Sequence, residues 1–223
     1  MDREMLQLQQ LFTDNSDVCI IKCGIGKVNA ALGAQRLINE FHPQVIISTG
    51  CAGGHGEGIS IQDVVVSSEL CYHDVYCGDA AGGTVFGQVQ GLPARFQADP
   101  VLLQKAQQLS IANSQLSIHA GLIVTGDWFV DSKDKMREIV GRFPECKAVD
   151  MESAAIAQTC LLNRCASSPS ASSATCHLLT LMPPSTTTSG TPWLTARSRS
   201  PRPLWKACKR QELQFYNSSI SQF

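Results

Sequence analysis

The sequence predicts a single α/β domain, in which short apolar strands alternate with amphipathic helices. Three observations carry that expectation. Apolar runs of strand length recur at Val18–Lys22, Val45–Ser48, Val64–Val66 and Ile118–Val124. Stretches with helical spacing of apolar residues lie between and after them. Glycine-bearing and acidic segments stand directly behind the runs, at the strand ends where open α/β sheets bind ligands.

The elements follow in order. Val18–Lys22 reads as a buried strand, and Val28, Ala31, Leu32, Ile38 and Phe41 mark the apolar stripe of the next helix. Val45–Ser48 is a second strand, with the glycine cluster from Gly50 to Gly58 as the loop behind it. Val64–Val66 and Ile118–Val124 are the third and fourth strands. Helices are expected from Pro100 to Leu109, Ser132 to Gly141 and Glu152 to Leu162. A short β-branched run ending in Asp150-Met151-Glu152 opens the last helix, whose dipole favours a carboxylate at its N-terminus. Taken alone, Glu152 reads equally as an ordinary first-turn acid on a surface helix.

A chain of 223 residues with 43% hydrophobic content suffices for one such core and is short for two. The net charge of −1 and isoelectric point near 6.5 provide no pull toward nucleic acid or an anionic membrane, so a small neutral or zwitterionic ligand is expected. The chain opens Met-Asp-Arg-Glu without an apolar leader and has no run of transmembrane length, which points to the cytoplasm. Its ten cysteines form no C-x-x-C pair, and Cys19 and Cys23 on one strand would lie about 13 Å apart. They read as small buried hydrophobes. The five histidines are scattered, so no metal and no cofactor is assigned.

Two nucleotide motifs are excluded. Thr49-Gly50-Cys51-Ala52-Gly53-Gly54 lacks the G-x-G-x-x-G spacing, and Gly26-Lys27-Val28 has valine where a P-loop needs Ser or Thr for magnesium.

Four segments in order, Cys23-Gly24-Ile25-Gly26-Lys27-Val28, Ser48-Thr49-Gly50-Cys51-Ala52-Gly53-Gly54, Gly121-Leu122-Ile123-Val124-Thr125-Gly126-Asp127 and Val149-Asp150-Met151-Glu152, resemble the purine nucleoside phosphorylase and nucleosidase superfamily. The resemblance is strongest to 5′-methylthioadenosine/S-adenosylhomocysteine nucleosidases and spans Met1 to Asn163. It implies a three-layer single domain with a central twisted mixed β-sheet flanked by helices. It also implies hydrolysis of the N-glycosidic bond of those two nucleosides, with release of adenine, in methionine salvage. A phosphorolytic purine or uridine nucleoside phosphorylase and a non-catalytic nucleoside-binding remnant are the alternatives. Phosphorylases of this superfamily usually carry a Gly-Asp-Pro loop near the start, whereas acidic Met-Asp-Arg-Glu stands here. A carboxylate suits water activation and repels phosphate.

By the same resemblance Glu4 activates the water and Glu152 holds the ribose hydroxyls. Met1 and Met151 lie near the sugar, and Ile25, Cys51, Ala52 and Gly53 border the substrate. Phe129 stacks on adenine, and the backbone at Val130 reads its edge. On its own each reading has a plainer rival: a solvated terminal charge for Glu4, a glycine turn for Gly53, core packing for Phe129 and gap filling for Met151. The implied partners are a small-molecule adenine nucleoside and a second copy of the chain in a homodimer, with neither nucleic acid nor membrane.

The resemblance ends at Asn163. From Arg164 to Pro203 the chain is rich in Ser, Thr and Pro, and no Asp or Glu occurs between Ser153 and Gln211. The superfamily continues there with an apolar strand ending in Ser-Asp, which supplies the proton to the leaving purine. With the codons TCA-GCG-ACN-TGY, which the genetic code permits, Ser173-Ala174-Thr175-Cys176 would read Ser-Asp one frame away. Residues 164–223 are therefore expected to be an out-of-frame, low-complexity tail without order. At the other end, the first apolar strand of the superfamily and its Ala-Met-x-x-Glu turn are expected to start upstream of Met1.

Overall fold

The structure is a computed structural model that describes residues 8–10, 12–13, 15–78, 83–112, 117–166, 174–181 and 192–196. Met1 and Glu4 lie outside the described residues. Strand β1 is Val18–Lys22, helix α1 Lys27–Phe41, β2 Val45–Gly54, β3 Val64–Tyr72 and β4 Phe96–Gln97. Then follow α2 Pro100–Ala112, β5 Ile118–Thr125, α3 Lys133–Arg142, β6 Cys146–Asp150 and α4 Ser153–Ala166. Two further strands, β7 Ala174–Leu181 and β8 Pro192–Ala196, complete the described elements.

The strands form one mixed eight-stranded sheet in the order β1-β8-β2-β6-β5-β3-β4, with β7 between β2 and β3. Because β7 pairs with β2 on one side and β3 on the other, β2, β6, β5, β3 and β7 close into a ring. Strands β3, β5 and β6 run parallel, so Tyr72, Thr125 and Asp150 end side by side. The last two residues of β2 meet β6 antiparallel, Gly53 opposite Val149 and Gly54 opposite Ala148. A Cβ on Gly53 would lie 3.0 Å from Val149 Cγ2, so this approach is tolerable only without a side chain.

This pairing explains a difference from the sequence. The glycine cluster from Gly50 was expected to be loop, yet β2 continues to Gly54. Neighbouring strands on both sides override the weak strand preference of glycine. The stripe of α1 is met in its second half, where Ile38 and Phe41 pack against the core, and shifted in its first half. Ala30, Ala34 and Leu37 are fully buried, whereas Val28 and Leu32 are 70% and 65% exposed. Small residues take the inner face because α1 packs beside α4, whose Ala154, Ala155 and Ala157 belong to the same core, and a reciprocal amide pair between Gln35 and Asn163 joins the two helices.

Three strands occur where the sequence reading placed no element, the short β4 and, within the segment expected to lack order, β7 and β8. β7 lies parallel to β2 along Val45–Ala52, and β8 antiparallel to β1. The open edges of β1 and β2 are templates for any extended segment, and Leu178-Leu179-Thr180-Leu181 has the composition to occupy one. Residues 164–166 continue α4, and the rest of the tail lies outside the described residues.

Candidate active site

The site is built where β3, β5, β6 and the loop before α1 converge. Register sets its base: Thr125 stands opposite Asp150, and its hydroxyl donates to Asp150 Oδ1 at 2.5 Å. Asp150 Oδ2 accepts from the Ser153 amide at 2.9 Å and from the Ser153 hydroxyl. The Ala154 amide donates to Thr125 Oγ1 at 2.9 Å, and Ala155 N–H to the Glu152 carbonyl at 3.0 Å. The first amides of α4 are thus satisfied by an internal cap, which fixes the direction in which Glu152 leaves the helix. Burial pushes the Asp150 carboxyl above the ordinary carboxylate range, against the hydrogen bonds from Ser153 and Thr125.

Glu152 is only 6% exposed. Its Oε1 accepts the Gly26 amide at 2.9 Å and its Oε2 the Met151 amide at 3.2 Å. The structure therefore brings together two sequence motifs 126 residues apart, the Ile25-Gly26 loop and the Met151-Glu152 junction. Gly26 has φ of 89°, a conformation that side chains rarely adopt. Ile25 is 39% exposed beside it, and Met151 is half-buried. Half-buried Cys51 and buried Ala52 lie on the strand that delivers Gly53 to Val149, three residues before Glu152.

Phe129 is 48% exposed, so it is not packed in the core. Its turn is held by Asp131 N–H donating to the Phe129 carbonyl at 3.1 Å, and by Lys135 Nζ bonding that carbonyl at 3.1 Å and Asp131 at 2.9 Å. The Lys135 ammonium holds the Asp131 carboxyl below the ordinary range. Val130 packs into the cluster containing Val149 and Ile139. β6 stops at Asp150, which turns inward to Thr125 and Ser153.

Sequence reasoning passed over Asp74 and His73. Both follow β3 directly, the same strand-end position that drew attention to Gly126-Asp127, and that position was the available signal. Asp74 binds Lys27, and His73 is buried edge-on to Trp128 with ring centroids 5.3 Å apart. Neither ring nitrogen of His73 has a hydrogen-bond partner among the described residues, and burial lowers its pKa. At the opposite end of the strands, Ser117 and Asp63 both approach His119 Nε2, at 3.3 and 2.9 Å. A catalytic triad uses both ring nitrogens, so this group is not one.

The loop before α1, the end of β2 and the strand ends of β3, β5 and β6 thus hold one carboxylate between two backbone amides. The family model described as the phosphorylase superfamily matches residues 9–171. The chain belongs to this superfamily. Among curated superfamily members, a 5′-methylthioadenosine/S-adenosylhomocysteine nucleosidase of an Exiguobacterium strain is 44% identical over 149 residues, covering 67% of this chain and 63% of that protein. One from Listeria innocua is 46% identical over 145 residues, covering 64% and 61%. The chain thus spans less than two thirds of the length of these relatives. Among solved superfamily structures, the Neisseria meningitidis nucleosidase in complex with methylthio-immucillin-A superposes with a TM-score of 0.71 at 34% identity, covering 82% of this chain and 83% of that one. The Colwellia psychrerythraea enzyme in complex with adenine gives 0.64 at 35% identity, covering 71% and 62%.

Proposed function

We propose that the chain is a nucleosidase that adds water across the N-glycosidic bond of 5′-methylthioadenosine and S-adenosylhomocysteine, releasing adenine. The water oxygen bonds C1′ as the C1′–N9 bond breaks, and the bonding pair leaves with the purine. One water proton passes to Glu4 and on to solvent, and the leaving purine takes one proton from solvent, so that a single water is consumed. The transition state resembles an oxocarbenium ion, so a carboxylate against the ribose hydroxyls strengthens its hold as the sugar becomes cationic. We assign that role to Glu152. Ile25, Cys51, Ala52, Gly53 and Met151, with Met1, border the sugar and base, Phe129 stacks on adenine, and Val130 reads its edge through the backbone.

The observation that carries this reading is the Gly26 amide on the buried Glu152 carboxylate, because it holds one anion in a fixed orientation just beyond the end of β6. The names and bound ligands of the similar proteins support the substrate class. As part of the same reading the protein is a cytoplasmic homodimer working in methionine salvage. The catalytic domain is residues 1–163, and 164–223 is a tail translated out of frame.

Product analysis tests the chemistry. Adenine and free methylthioribose formed from methylthioadenosine without phosphate are the expected products. A requirement for inorganic phosphate, with methylthioribose 1-phosphate as product, would replace hydrolysis by phosphorolysis.

A further inference from the structure

Two consecutive amides at the start of α1 point at carboxylates from distant parts of the chain. Gly26 N–H donates to Glu152 Oε1 at 2.9 Å and Lys27 N–H to Asp127 Oδ1 at 2.8 Å. Lys27 then closes a ring. Its Nζ bonds both oxygens of Asp74 at 2.8 Å and lies 3.6 Å from Asp127 Oδ2, while the Asp127 amide donates to Asp74 Oδ2 at 2.8 Å. The ring ties the loop before α1 to the ends of β3 and β5. It is also shielded: the Asp74 side chain is 9% exposed and that of Lys27 23%, which makes the pair stiffer than an open surface ion pair.

What the ring fixes is a glycine pivot. Gly26 lies between the two amides, and glycine is the residue least able to hold its own φ and ψ. Anchoring the Lys27 amide on one side sets where the Gly26 amide points on the other. Gly26 provides no side-chain cap, so the dipole at the start of α1 is directed onto Glu152 and Asp127.

We propose that Lys27, Asp74 and Asp127 are positioning residues whose ring locks the Gly26 pivot, so that the Gly26 amide holds Glu152 in the orientation that receives the ribose hydroxyls. This rests on the reading of Glu152 as the ribose-holding carboxylate. Removing the ammonium leaves Asp74 and Asp127 to repel each other, which frees the Lys27 amide and then the pivot.

The test is calorimetric titration of the full chain with 5′-methylthioadenosine and with adenine, which has no ribose. Lys27→Met should weaken methylthioadenosine binding about tenfold, as expected for one misdirected hydrogen bond to a charged group, with adenine within about twofold. In a Glu152→Gln background the same change should cost less than about twofold, because the two act on one interaction. Lys27→Arg should recover most of the loss. If Lys27→Met does not unfold cooperatively, Asp127→Ala replaces it, since Asp127 is 48% exposed and its loss strands no buried group. Equal weakening of both ligands, or an undiminished cost in the Glu152→Gln background, overturns the proposal. If Glu152→Gln binds methylthioadenosine as tightly as the parent, the reading of Glu152 fails and the proposal with it. If Glu152→Gln weakens binding while the ring variants do not, the proposal alone fails.

Discussion

Thr125→Val separates the cap of α4 from simple packing. The two side chains are nearly the same shape, and Thr125 is fully buried, so the change removes a hydroxyl and leaves little cavity. That hydroxyl accepts from the Ala154 amide at 2.9 Å and donates to Asp150 Oδ1 at 2.5 Å. Without it, an amide in the first turn of α4 and one carboxylate oxygen lose their partners inside the core. Each buried group left unsatisfied costs about 1–3 kcal/mol. Asp150 keeps its two bonds from Ser153, so the expected loss lies toward the lower half of the sum, roughly 2–4 kcal/mol. For a domain of this size a loss of ~3 kcal/mol lowers the melting midpoint by roughly 6–12 °C. The assay is urea denaturation at pH 7 with a parallel thermal melt, and Thr125→Ser as control. Serine keeps the hydroxyl, so its loss should be no more than about 1 kcal/mol, the size of a deleted methyl group. Equal destabilisation by Val and Ser, or a loss for Val below about 0.5 kcal/mol, the range of an uninvolved surface site, would show that the cap is not what holds α4.

Three further expectations use other parts of the structure. Gly26→Ala places a Cβ 3.0 Å from Asp127 Oδ1 at a φ of 89°, so it should cost about 1–3 kcal/mol in backbone strain and weaken nucleoside binding measurably in a titration; unchanged affinity would contradict the role of the pivot. Burial holds His73 neutral, so the folded chain binds fewer protons than the unfolded one in acid: stability is undiminished above the ordinary value of 6.5 and declines as pH falls below it toward the lowered native value. Denaturation midpoints from pH 8 to 5 should show that decline, and His73→Phe should flatten it; parallel slopes would refute the assignment. Burial pushes the thiols of Cys71 and Cys146 up to about 12, so at pH 8 their thiolate fraction is on the order of 10⁻⁴. Iodoacetamide labelling read by mass spectrometry should leave both unmodified until denaturant is added, and rapid native labelling would contradict their burial.

The sequence made legible what depends on neighbours along the chain. β1 spans the expected Val18–Lys22, and the Asp150-Met151-Glu152 junction sits at a strand end before a helix. What escaped depends on partners far away. Lys27 and Asp74 are 47 residues apart and Lys27 and Asp127 100, so no local pattern marks the ring. Ile38 and Phe41 of the α1 stripe pack as the spacing predicts, but its first half was misphased because Ala30 and Ala34 weigh little on a hydrophobicity count, although close helix contact requires small side chains there. Gly50 to Gly54 were read as loop because glycine weakens an isolated strand, and only pairing with β6 and β7 reverses that.

The proposed function requires an adenine nucleoside positioned for attack by water and, for efficient departure of adenine, the Ser-Asp that an alternative frame after Asn163 would encode. The direct measurement is the rate of adenine release from methylthioadenosine, at equal folded concentration, by the 223-residue chain and by a chain carrying the alternative frame after Asn163. The account predicts phosphate-independent release by both, with the 223-residue chain slower by about 10²–10⁴, the usual contribution of a general acid. Equal rates would contradict it.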